Sequence, residues 1–442
     1  MMVVHLCQHV SLPLLLLVLV VLAPCFAVCA GEAVLHEDEA GALHINTTST
    51  AGGNGSIGSS SNDALPPVFV NGLNVGELLQ LVQAQQAVIE AQQSALERQE
   101  GLIRSLRGSA ALALFRSCHE TRAPVADTIR VAGATDGSGS WIGGVQASNT
   151  GLIYAIPASA RSVLILDPAT NAVDTSTMGN LTMGGWHGGV QARNGLIYGI
   201  PALATAVLII DPVHNTTDTT TMDNFSAEGS KWAGGVLADN GLIYGIPYVA
   251  TGALIIDPST HTVDTTTVGP FAPGVGKWRG GVKADNGLIF GIPSGTTSVL
   301  IIDPVTNTAD TTTIADVGTG SLLWNGGALM PNGLIYATPR MASSVLIIDP
   351  VNKTANTTTI SSLGTEDKWV DGVLTHNGLF VGIPLRASSL LIVDPSTNTA
   401  DTTTVSGFGT GLKWHSGVLA SNGLVYGIPY GTDRILIVDP GC

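Results

Sequence analysis

Lys231-Trp-Ala-Gly-Gly-Val236, Asn240-Gly-Leu-Ile-Tyr-Gly-Ile-Pro247, Ala253-Leu-Ile-Ile-Asp-Pro258 and Asp264-Thr-Thr-Thr267 form one unit of a repeat. Its copies are marked by Trp141, Trp186, Trp232, Trp278, Trp324, Trp369 and Trp414, spaced 45 or 46 residues apart. A period of this length marks a propeller or a solenoid. Each unit holds four strand signals. The Gly-Gly-Val stretch is small enough to crowd near an axis. An Asn-Gly pair follows in six of the seven units, a dipeptide that suits a tight hairpin turn. The first unit has Asn149-Thr150-Gly151 instead. The second strand signal ends in a Pro. The third, as in Val207-Leu-Ile-Ile210, is apolar on both faces and so expects cover on both. Asp-Pro then starts a turn, and the Thr-rich fourth strand suits a half-wet outer edge.

Seven such sheets cover one another when they form a ring, which leaves only short, protected edges. The chain ends support closure. The last unit stops at Leu436-Ile-Val-Asp-Pro-Gly-Cys442 without its Thr-rich strand, and Asp127-Thr-Ile-Arg-Val131 precedes the first Trp. The expected fold is therefore all-β: a seven-bladed β-propeller over 118–442, closed by an N-terminal strand in the last blade. Cys118 and Cys442 flank that blade, and a disulfide there would clamp the ring; two unpaired thiols are the alternative.

The run from Tyr244-Gly-Ile-Pro247 through Ala253-Leu-Ile-Ile-Asp-Pro-Ser-Thr260 to Val263-Asp-Thr-Thr-Thr267 resembles the YVTN-type β-propeller repeat, over about residues 127–442. Gly-Ile-Pro stands where that repeat carries Val-x-Asn. The resemblance implies a propeller in a surface or exported setting and leaves function open.

The N-terminal third reads differently. Leu14–Leu22 is an apolar core followed by small residues up to Ala30, a pattern of an export signal over 1–30 cleaved after Ala30. Its n-region has no Lys or Arg, so an uncleaved anchor stays open. Residues 31–70 are polar and rich in Gly, Ser and Asn, and read as a disordered linker. Within 71–108, Val75, Val82, Ile89, Leu96 and Ile103 recur every seven residues in a field of helix formers. That predicts a helix over 75–107, either self-associated as a coiled-coil stalk or lying on the domain, since Gln85, Gln92 and Gln99 weaken the second seam.

A net charge of −15 argues against nucleic acid or an anionic membrane as partner. The seven Trp read as packing residues and the Asp-Pro aspartates as turn caps. Function is expected where the units differ, in the loops after the second strand and between blades, which open on one face. Directly after each Trp come Ile142, His187, Ala233, Arg279, Asn325, Val370 and His415. Of these His187, Arg279, Asn325 and His415, with Asp371, could line a polar mouth around the axis, and Tyr248, Arg340 and Tyr430 follow the Pro of their units. Independent solvated loop residues are the bland alternative. No spacing suggests a metal site, a cofactor or a catalytic constellation. The seven Asn-x-Ser/Thr sequons are Asn46, Asn54, Asn180, Asn215, Asn224, Asn352 and Asn356.

These features point to a secreted or surface-displayed binding or scaffold protein for an extracellular glycan or protein, with 75–107 as the segment through which it would form a homo-oligomer. Two alternatives stand beside it: an axial-pocket hydrolase or lyase for a sugar or lactone, and a structural surface coat.

Overall fold

The computed structural model describes residues 33–37, 43–47, 69–70, 73–74, 80–89, 91–92, 122–132, 139–182 and 184–441. The expected signal segment and the Cys118–Cys442 bridge lie outside the described residues. The chain divides into two compact units, Met1–Glu100 and Gly101–Cys442.

In the first unit, strand Ala33–Glu37 pairs antiparallel with Leu43–Thr47, Leu35 opposite Ile45. Phe69–Val70 pairs with Leu73–Asn74. This corrects the reading of 31–70 as a linker without structure. The strands are only five residues long, too short for their pattern to stand out against polar surroundings. Residues 80–89 and 91–92 are helical. Ile89 of the heptad stripe is 52% exposed, and Leu81 and Val88, each one place before a stripe position, are 59% and 55% exposed. Nothing among the described residues shows a coiled-coil stalk, and Leu73–Asn74 is strand where the stalk segment 71–108 was expected to begin.

The second unit is a seven-bladed β-propeller. Six blades are four-stranded sheets built from consecutive strands, blade three for example from Trp232–Leu237, Ile243–Pro247, Leu254–Asp257 and Thr262–Asp264. In blade seven, Trp414–Leu419, Val425–Pro429 and Arg434–Asp439 are joined by Val125–Arg130 from the other end of the unit. That last pairing is antiparallel over six residues, Arg434 opposite Arg130 and Asp439 opposite Val125.

The apolar third strands explain why the blades stack. Leu254, Ile255 and Ile256 are all buried, because a strand in the middle of a blade meets a neighbouring blade on each face. The core forms between blades rather than within them. One cluster joins Tyr154, Ile156 and Val163 of blade one to Trp186, Ile197 and Leu208 of blade two. Another joins Tyr426, Ile428 and Ile435 of blade seven to Trp141, Ile153 and Leu164 of blade one. Each Trp sits at such an interface, and its indole N–H donates to a main-chain carbonyl 20 residues on, or 21 for Trp141, as Trp232 Nε1 does to Gly252 at 2.9 Å. A buried indole thereby keeps its one donor satisfied.

The hairpin turns lock neighbours together. Asn194 Nδ2 donates to the Pro258 carbonyl of the next blade at 3.1 Å, and its Oδ1 caps Leu196 N within its own turn. Asn240, Asn286 and Asn377 repeat the contact to Pro304, Pro350 and Pro440. Asn422 of blade seven donates to Pro168 of blade one. Blade one, which lacks the Asn-Gly pair, reaches Pro212 through Tyr154 Oη at 3.2 Å instead. The Asp-Pro aspartates do cap turns: Asp257 accepts from Ser259 N and Oγ.

Candidate functional site: the axial mouth

The innermost strand of each blade carries a bulge just after its Trp. In blade four Trp278 faces Pro293 and Gly281 faces Gly291, so Arg279 and Gly280 together oppose Ile292. The extra residue turns the backbone toward the axis. The second residue of the bulge has positive φ in six blades: Gly143, Gly188, Gly234, Gly280, Gly326 and Asp371, at 86°, 82°, 82°, 76°, 67° and 57°. These residues meet in a ring. A Cβ on Gly143 would stand 2.5 Å from the Gly188 Cα, one on Gly234 3.1 Å from the Gly280 Cα, and one on Gly280 3.0 Å from the Gly326 Cα. Ser416 closes the ring, its Oγ accepting from Gly143 N at 2.7 Å. The backbone itself thus rings the axis at this level.

Above this floor lie the residues that directly follow each Trp. Arg279 donates from Nη2 and Nε to Nε2 of His187, two blades away, at 2.9 and 3.2 Å. Nη2 also lies 3.4 Å from Nε2 of His415, across the axis in blade seven. The two imidazoles meet edge to face with centroids 5.3 Å apart. The Arg279 guanidinium sits 5.5 Å from the centre of the Tyr248 ring, and Tyr430 packs 5.3 Å from His415. Asn325 holds the equivalent position in blade five and is 4% exposed. Ile142, Ala233 and Val370 complete the level as buried apolar residues.

Burial, and then the charge of Arg279, push both His187 and His415 well below the usual imidazole range, so both are neutral. Burial also pulls Arg279 down to about 10, with the charge of Arg340 adding to the shift; it remains cationic at neutral pH.

The rim is held by main-chain bonds running from blade to blade. Lys231 N donates to Ala202 O, Lys277 N to Tyr248 O, Leu323 N to Ser294 O, Lys368 N to Arg340 O, Lys413 N to Leu385 O and Ser140 N to Tyr430 O. The loop after each second strand is therefore fastened to the entry of the next blade, which puts both variable loops on one face. Arg340 makes a fork to Asp367 at 2.8 and 3.1 Å, spanning two of these loops.

The geometry thus brings together His187, Arg279, His415, Tyr248 and Tyr430. Arg340 stands on the rim, committed to Asp367. Asp371 is a correction: it belongs to the floor, not the polar wall. Its carboxylate accepts from Gly372 N at 3.0 Å and Gly417 N at 3.2 Å, because it replaces the ring glycine of its blade. Burial raises its pKa to about 6.

The sequence reading passed over a set of lysines. Lys231, Lys277, Lys368 and Lys413 precede Trp in four units and are buried. Their ammonium groups bind loop carbonyls; Lys368 Nζ reaches Arg340, Ala342, Gly364 and Glu366 at 2.9–3.2 Å. The repeated Lys-Trp pair was the available signal. Of the sequons, Asn180, Asn215, Asn224, Asn352 and Asn356 are exposed. Asn46 lies on the strand Leu43–Thr47, and Asn54 is outside the described residues. Among the described residues no group of three or more His, Cys, Asp or Glu is placed to hold a metal ion, and no helix is long and apolar enough to cross a membrane.

No protein family matches this sequence, and no curated protein matches it. Solved structures do. A streptogramin B lyase aligns with TM-score 0.54 at 11% identity, covering 71% of this chain and 97% of that one. A catalytically inactive virginiamycin B lyase from Staphylococcus aureus with quinupristin aligns at 0.57 and 8%, covering 71% and 99%. The extracellular domain of a one-component system from B. thetaiotaomicron aligns at 0.53 and 12%, covering 70% and 42%. At these identities the likeness is one of fold: a seven-bladed β-propeller.

Proposed function

We propose that this chain is a secreted or cell-surface binding protein that takes an extracellular glycan or protein at the axial mouth of its variable-loop face. The carrying observation is the convergence of Arg279, His187 and His415 from three different blades onto one axis. Side chains that belong to blades far apart in sequence meet there over a rigid glycine floor, and variable loops surround them. A preformed concave site with few polar groups suits ligand recognition. The export pattern of residues 1–30 supports the extracellular setting, and occupied glycans on the five exposed sequons belong to the same reading.

The exposed apolar residues Leu81, Val88 and Ile89 support a further part of the proposal, self-association through 75–107. Several weak mouths on one stalk would gain avidity without new contacts. A glycan array probed with the purified secreted chain, with light scattering beside it, tests both parts. Array hits that disappear in a mouth variant such as Arg279→Met support the site; hits indifferent to that variant refute it. A monomer in light scattering refutes the multivalent part alone.

The lyase or hydrolase reading has one observation in its favour, two neutral imidazoles at the mouth. Their Nε2 atoms face Arg279, however, so the geometry supports binding better than proton abstraction.

A further inference from the structure

Arg279 is a cation that the protein does not neutralise. Among the described residues no carboxylate lies within ion-pair distance of it; its partners are two neutral imidazoles and the face of Tyr248. Arg340, the next positive group, is already matched by Asp367. A cation withdrawn from water ordinarily has a counter-charge beside it.

Two further donors are left over at the same level. Because His187 accepts at Nε2 from Arg279 and is neutral, its proton sits on Nδ1. That Nδ1 is buried without a hydrogen-bond partner. The side-chain nitrogen of Asn325 is buried and unpartnered as well, on a residue 4% exposed. Buried polar groups left unpaired are uncommon and ask for a reason. What this wall lacks is a group that carries negative charge and only accepts hydrogen bonds.

We propose that the axial mouth binds an oxyanion, the carboxylate or sulfate group of a larger ligand, on Arg279 with Asn325 and His187 as accessory donors. The inference rests on the reading of the mouth as the binding site and names the chemistry it selects. An ionised carboxylate or sulfate supplies acceptors alone, which complements a wall of donors. Arg279 and His187 are both partly exposed, which leaves such a group a route to this level of the axis. In a chain of net charge −15 a cationic group at the axis is also a distinct electrostatic target.

The test is calorimetric titration of the purified secreted chain with glucuronate, with glucose 6-sulfate and with uncharged glucose, at fixed ionic strength. The expected result is binding of one or both charged sugars and none of glucose. Affinity should weaken at least tenfold in Arg279→Met. It should weaken likewise in Asn325→Asp, which replaces a donor by a resident carboxylate without removing bulk. The preferred sugar tells carboxylate from sulfate. Should Arg279→Met fail to fold, Asn325→Asp carries the test. Failure of both charged sugars to bind, or binding that neither variant weakens, overturns the proposal. An uncharged glycan that binds wild type and loses affinity in Arg279→Met would overturn the anion chemistry while leaving the mouth as the binding site.

Discussion

Asn422 Nδ2 donates to the Pro168 carbonyl at 2.9 Å, across 254 residues of sequence. The bond ties blade seven to blade one by the same contact that ties blade two to three and three to four. Closure of the ring and packing of adjacent blades thus use one device.

Removing that clamp should loosen the seam. Asn422→Ala leaves the Pro168 carbonyl with only the longer bond from Tyr426 Oη at 3.3 Å and uncaps Leu424 N. A lost bond to a partly buried partner costs about 1–3 kcal/mol. The expected outcome is a lower Tm with the native fold retained. The same substitution at Asn240 should cost a similar amount, since its partners are equivalent; thermal unfolding of both variants checks this.

The floor should tolerate no side chain. Gly234→Ala would place a Cβ 3.1 Å from the Gly280 Cα at a φ of 82°. A non-glycine residue in that region is itself strained by about 1–2 kcal/mol, and the neighbouring backbone offers no flexible atom to move. Gly241→Ala has the same sign of φ, 86°, and open space around it. Gly234→Ala should therefore lower Tm more than Gly241→Ala. Equal losses would mean that the ring contact carries no energy of its own.

Asp371 and the aspartates that open the Thr-Thr-Thr runs should give opposite pH dependences. Burial raises Asp371 from 3.8 to about 6, so its contribution is fully present below about 3.8 and is lost as pH rises through about 6. At about 1.4 kcal/mol per pKa unit the full effect is about 3 kcal/mol, less whatever its partial exposure removes. Asp264 and Asp310 are lowered to about 2, first by the hydroxyls of Thr267 and Thr313. Their contribution is present above about 3.8 and is lost as pH falls through about 2. Asp371→Gly, which restores the residue of five other units, should flatten the decline in stability between pH 4 and 6 and leave the acid limb unchanged. Chemical denaturation at a series of pH values reads both.

Lys368 should matter more than a surface lysine. Its ammonium binds four carbonyls of two loops, and Lys368→Met keeps the stem while removing every one of those bonds. A hydrogen bond to a charged group contributes about 1.5–3 kcal/mol. The variant should unfold at lower temperature and be cleaved faster by protease within 361–367, while Lys353→Met, at an exposed turn of the preceding blade, should change neither.

Much of the propeller was legible because its signals repeat. One unit with Trp, Asn-Gly, Ile-Pro and Asp-Pro is weak evidence; seven in register are strong, and comparison among them separated scaffold from variable positions. The site was legible only in part. Counting from each Trp picked out His187, Arg279, Asn325 and His415, yet it grouped Asp371 with them although that residue stands one place further on, at the ring glycine. The bulge decides this, for it sends consecutive residues to different levels of the axis. The structure in 31–70 was missed because two five-residue strands leave little periodic signal.

The sequence by itself determined that there would be seven apolar sheets, each needing cover on both faces, and where the turns between strands would fall. These are local matters, set by alternation, turn chemistry and the period. Only the tertiary structure decided that Arg279 would meet His187 and His415, that its charge would find no carboxylate among the described residues, and that glycines would meet in a ring beneath it. Those facts depend on how blades separated by 92 and 136 residues face one axis. No local pattern carries such a distance, because a side chain's partners follow from the closure of the whole ring.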